Sequence, residues 1–77
     1  MLMYDVKVQQ ALRNIAKVDA FEDVLNKTTL DSLDKKILKL HYLENKDFLY
    51  IADALGYSES GVKKRHLRAL KKISVIL

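Results

Sequence analysis

Asp47-Phe48-Leu49-Tyr50-Ile51-Ala52-Asp53-Ala54-Leu55-Gly56-Tyr57-Ser58-Glu59-Ser60-Gly61-Val62-Lys63-Lys64-Arg65-His66-Leu67-Arg68-Ala69-Leu70-Lys71-Lys72 reads as two helices and the turn that joins them. Asp47 is placed to cap a short helix whose inward positions are Ile51, Ala52 and Leu55. Gly56 stands where a helix C-terminus favours positive φ, and Ser58 can accept from the open amides of the next helix, with Glu59 in its favoured first turn. Val62, Ala69 and Ile73, with Leu70 beside them, form the inner stripe of that last helix, residues 59–73. A small residue at Ala52 lets two helices cross closely, and Gly56 permits the sharp turn, so the stretch predicts a helix-turn-helix unit.

Working outward, Asp31 or Ser32 can cap a preceding helix that buries Leu33, Ile37 and Leu40, with Leu38 and Tyr42. Glu44-Asn45-Lys46 is a polar break in which Asn45 tolerates a left-handed turn. Further back, Tyr4, Val8, Ala11, Ile15 and Val18 recur at spacings of four and three, with Leu12 widening the stripe of an amphipathic helix. Asp19 and Glu22 resemble a capping pair at which the helix restarts, burying Phe21, Val24 and Leu25. Lys27-Thr28-Thr29 is the polar connector. Proline is absent, Gly56 and Gly61 are the only glycines, and no alternating stretch is long enough for a strand. The expected class is all-α: an N-terminal amphipathic helical segment, 1–28, followed by a helix-turn-helix segment, 29–77.

Seventy-seven residues make one domain when a domain takes roughly 150. A chain this short buries about 60% of its unfolded surface, so its core is thin unless well packed. The absence of cysteine excludes disulfides, thiol catalysis and thiolate zinc sites. No apolar run reaches the length of a membrane span, and the N-terminus lacks signal-peptide character, so a cytoplasmic protein is expected, with no membrane partner. The net charge of +4 is unevenly placed. Residues 1–60 hold eight Lys/Arg against all ten acids, whereas residues 61–77 hold six cations (Lys63, Lys64, Arg65, Arg68, Lys71 and Lys72) and no acid. A basic rod projecting from a helix-turn-helix suits the major groove of double-stranded DNA.

The residues from Leu30 to Ile73 resemble region four of bacterial sigma factors, the part that reads the −35 promoter element. Ile37-Leu38-Lys39-Leu40-His41-Tyr42 is similar to the family's apolar helix ending in an Arg-Tyr pair. Asp47 to Ala52 is similar to its Ser-x-x-Glu-Ile-Ala-like helix, and Leu55-Gly56-Tyr57-Ser58 to its turn. Val62-Lys63-Lys64-Arg65 and Arg68-Ala69 match the recognition-helix run without a gap. Asn45 stands where the family usually has Gly, Tyr50 where it has an acid, and Gly61 where many relatives have Thr. The first half is too short for a −10-reading region, so the chain looks like region four standing alone, in the manner of small phage-type regulators or a detached sigma fragment.

The resemblance implies that Glu59, Ser60, Lys63 and Lys64 face base edges, while Arg65, Arg68 and Lys71 are placed for phosphates. Base contacts would specify and phosphate contacts would position. The implied function is sequence-selective DNA binding in transcription, with helix 59–73 in the major groove and RNA polymerase as a partner. An adaptor or decoy that binds polymerase with little DNA affinity is the alternative. No enzyme activity, metal or cofactor is expected: Ser58 is explained as a cap, and His41 and His66 share no ligand spacing. His66, one turn after Val62, is expected to be packed, and His41 to lie at the surface or in a turn. Leu67 falls outside the inner stripe. The tail Ser74-Val75-Ile76-Leu77 is expected to pack on the N-terminal helix, and a weak homodimer is expected through that helix and the tail.

Overall fold

The computed structural model describes residues 3–15 and 17–75, and side chains from Val6 onward. It is all-helical: α1 is Met3–Asn14, α2 Val18–Asn26, α3 Ser32–Leu38, α4 Phe48–Leu55 and α5 Glu59–Ile73. A π-helical segment, Lys39–Leu43, continues α3. No strand occurs among the described residues.

The caps explain where the helices start. Asp31 accepts from the Asp34 amide at 2.8 Å, Asp47 from the Tyr50 amide at 2.8 Å, and Ser58 from the Gly61 amide at 3.1 Å. Each satisfies one of the open donors of a first turn. Between α1 and α2 the expected continuous stripe breaks. Lys17 is extended (φ −104°, ψ 135°) and starts α2 without a side-chain cap; Asp19 sits in the first turn, favouring the helix dipole there instead of capping it. Val18 is consequently turned to solvent, 56% exposed, and leaves the stripe.

Two apolar clusters meet along α5. In one, Val8 and Leu12 of α1 and Phe21 and Leu25 of α2 gather with Leu38, Tyr42, Leu70 and Ile73. In the other, Ile37, Ile51, Ala52 and Val62 are buried, with Leu33, Leu40, Phe48 and Leu55 packed around them. Val8 is 4% and Leu12 1% exposed, and Ile15 packs on the same cluster. The α1 stripe is thus intramolecular core, which corrects the expectation of a homodimer through it: the chain's own α5 already covers that face. Tyr4 lies outside the residues whose side chains are described. So do Ile76 and Leu77, and Val75, the last described residue, is solvent-exposed and not packed.

The π-helical segment was not foreseen. The Glu44 amide donates to the Lys39 carbonyl at 3.2 Å, and the Lys46 amide to the Leu40 carbonyl at 3.0 Å. Asn45 closes the segment at φ 57°, in the left-handed region where Asn is tolerated. His41 Nδ1 lies 2.8 Å from the Lys46 carbonyl oxygen, fixing the same turn from the side-chain side. His41, expected at the surface or in a turn, lies in this turn and stacks on Phe48 with centroids 4.3 Å apart.

Candidate nucleic-acid interface

The turn between α4 and α5 depends on Gly56, which caps α4 in the left-handed conformation (φ 76°, ψ 33°). From this turn α5 runs for fifteen residues. Its inner face buries Val62, His66, Ala69, Leu70 and Ile73, and its outer face leaves Glu59, Ser60, Lys63, Lys64, Leu67, Arg68 and Lys71 exposed. Lys64, Arg68 and Lys71 recur at spacings of four and three, which puts them on one outward row.

The expected site residues are not equivalent. Glu59 and Lys63 face each other at 3.7 Å as an exposed i,i+4 pair, of a type that contributes little. The Ser60 hydroxyl is 3.4 Å from that of Ser58. Gly61 is crowded from the same side: a Cβ there would sit 3.0 Å from Ser58 Oγ, so the glycine makes room for the cap.

Arg65 differs most. Its Nη1 reaches Asp34 Oδ1 at 3.2 Å and Asp31 Oδ2 at 3.5 Å, with the Asp34 side chain 2% exposed. Its guanidinium also lies over the Tyr57 ring at 5.8 Å. The hydrogen bond to Asp34 holds the guanidinium pKa above its ordinary value. The Asp31 carboxyl is held below its ordinary value, first by the Asp34 amide it caps and then by the Arg65 charge. This network ties α5 to the start of α3. Sequence reading missed Asp34, because an acid in a first turn ordinarily serves the helix dipole in water; only the fold places it beneath Arg65. Two turns further along the same side of α5, Lys72 donates to the Thr29 carbonyl at 3.2 Å.

Behind α5 lies an aromatic cluster. The Tyr42 hydroxyl and His66 Nε2 are 2.6 Å apart, and Arg13 stands over the Tyr42 ring at 5.2 Å. His66 is buried, as expected. Burial, followed by the nearby His41 and Arg13, pushes its pKa down to about 4, so the ring is neutral near pH 7. Among the described residues no group of three or more metal-ligating side chains occurs, and no helix is long and apolar enough to cross a membrane.

No curated protein and no solved structure matches the chain significantly. The family model for sigma-70, region 4, matches residues 28–73, which takes in the α3–π segment, the α4–α5 turn and all of α5. With the capped turn, the projecting basic helix and this match over more than half its length, the chain belongs to the sigma-70 region 4 family, whose helix-turn-helix serves DNA binding in transcription.

Proposed function

We propose that the protein is a sequence-selective DNA-binding regulator of transcription that lays α5, residues 59–73, in the major groove of a −35-like promoter element and acts with RNA polymerase in the cytoplasm. The observation that carries this reading is the outward row Lys64, Arg68 and Lys71 on a helix whose last thirteen residues hold no acid. Glu59, Ser60, Lys63 and Lys64 form the base-reading end. Arg68 and Lys71, with Lys72, hold phosphates. Arg65, engaged by Asp31 and Asp34, orients α5 on the domain. The half-exposed pair Leu49 and Tyr50 on α4 supports a protein contact, for which polymerase is the fitting partner.

The test is a titration of labelled −35-like and scrambled promoter DNA over a salt series, with and without RNA polymerase. With Lys63, Lys64, Arg68, Lys71 and Lys72 as the available cations, about five counterions at most are released, each contributing about −0.9 to the log–log slope. Arg68→Glu weakens every sequence alike, whereas Lys64→Ala changes the preference among sequences. A flat salt response alongside intact polymerase binding would overturn direct DNA binding and establish the adaptor reading.

A further inference from the structure

On the flank of α5 away from Arg65, α1, the start of α4 and α5 enclose an open groove of about 290 Å³, lined by Gln9, Phe48, Lys63, His66 and Leu67. Its chemistry is specific. Two walls are apolar, the half-buried Phe48 and Leu67, a leucine held 48% exposed on the otherwise polar outer face of a helix. At the floor is the buried ring of His66, already paired with Tyr42. At the rim is Lys63, whose carboxylate neighbour is Glu59 at 3.7 Å, with both side chains about half exposed. The lining contains a cation and an amide donor and no acid.

We propose that this groove is a binding site for a small apolar carboxylate, an aromatic or medium-chain aliphatic acid. The hydrocarbon lies between Phe48 and Leu67, and the carboxylate meets Lys63 Nζ, with the Gln9 amide as a further donor. Apolar walls with a few placed polar groups are the usual make-up of a ligand site, and the volume is near the lower limit of about 300 Å³ for such sites. A partner helix would need a trough long enough for anchors spaced over two turns. Gln9 lies outside the residues 28–73 that match the family, so the groove is made by what α1 adds to the shared module. Because Lys63 also belongs to the proposed base-reading end, an acid bound here withdraws a positive charge from the DNA face. That consequence, unlike the binding itself, rests on the DNA-binding reading.

The experiment uses the full 77-residue chain, labelled with ¹⁵N and titrated with phenylacetate, octanoate and the neutral analogue phenylacetamide. Saturable shifts are expected at Gln9, Phe48, Lys63 and Leu67, with phenylacetamide binding about fivefold more weakly than phenylacetate, the scale of one exposed charge pair. Lys63→Gln weakens the acids by about the same factor and leaves phenylacetamide unchanged, while Leu67→Ser weakens all three. Both side chains are exposed, and thermal melts verify that the variants keep the fold. Shifts that are absent, that do not saturate, or that are equal at Lys27 and Lys72 would overturn the site, as would binding of an acidic peptide in the groove where the small acids fail. In a second arm, saturating phenylacetate lowers DNA affinity of the parent chain but not of Leu67→Ser. Undiminished DNA affinity at saturation overturns the regulatory role. A chain that binds the acids but no DNA leaves the site standing and removes the DNA-binding reading.

Discussion

Val62, near one end of α5, belongs to a cluster with Ile37, Ile51 and Ala52, whereas Leu70 and Ile73, near the other, belong with Phe21, Leu12 and Leu25. The first cluster uses small and medium side chains from α3 and α4, which immediately precede α5 in the chain. The second draws the fully buried Phe21, Leu12 and Leu25 from α1 and α2, some fifty residues away. One end is set by a tight turn that tolerates little bulk, the other by long-range filling of volume. The two ends should therefore fail in opposite ways, one to added atoms and the other to removed ones.

The largest effect is expected at the filled end. Phe21→Ala, at a fully buried position, should cost about 3–5 kcal/mol in urea denaturation. Ala52→Leu at the tight end should cost about 1–3 kcal/mol by overpacking. A reversed order would break the contrast between the clusters.

His66 joins the two regions, hydrogen-bonded to Tyr42 of one cluster and beside Phe48 of the other. Its pKa falls from 6.5 to about 4 on folding, so below pH 6.5 the unfolded chain binds the extra proton. The contribution is fully present above pH 6.5 and is lost as pH falls toward 4. Between pH 6.5 and 5 the loss should be on the order of 1–2 kcal/mol. Urea midpoints measured against pH for the parent and for His66→Gln check this: the variant should lack that part of the slope.

At the turn, Gly56→Val should cost at least about 1 kcal/mol. No atom lies within 4 Å of a Cβ there, so the whole effect comes from φ 76°, and a thermal melt of Gly56→Asn should show a smaller loss. Gly61→Ala should be the mildest. Its helix-propensity gain of about 1 kcal/mol opposes the displacement of Ser58 Oγ, 3.0 Å from the new Cβ. A melting temperature close to the parent's is expected, whereas a large drop would mean that the Ser58 cap cannot yield.

The same contrast explains what could be read from the sequence. Asp47, Gly56 and Ser58 act within three residues of themselves, through caps and a left-handed φ, and these local effects are written in residue type and spacing. The inner stripe of α5, including the packed His66, followed from helical periodicity. A restart was legible in Asp19 and Glu22, but its position before Val18 was not, since no proline or glycine marks Lys17 and the stripe Val8, Leu12, Ile15 runs in register toward Val18. The π-helical segment shifts the ladder by one residue, a change to which apolar spacing is insensitive. Asp34 under Arg65 joins positions 31 residues apart. The charge of Arg65 was legible, but the carboxylates that engage it were not, because a partner brought by the fold leaves no local mark.

Because α5 carries both Val62 and Ile73 into the two clusters, it cannot loosen without dissolving both. Its amides from about Val62 to Ile73 should exchange with solvent only through opening of the whole molecule, and unfolding should be a single cooperative event, not a fraying of one face. Any ligand that grips α5 in the folded chain alone is then thermodynamically linked to every buried residue. At a free concentration one hundredfold above its dissociation constant, such a ligand would add about 2.7 kcal/mol to the stability of the entire domain.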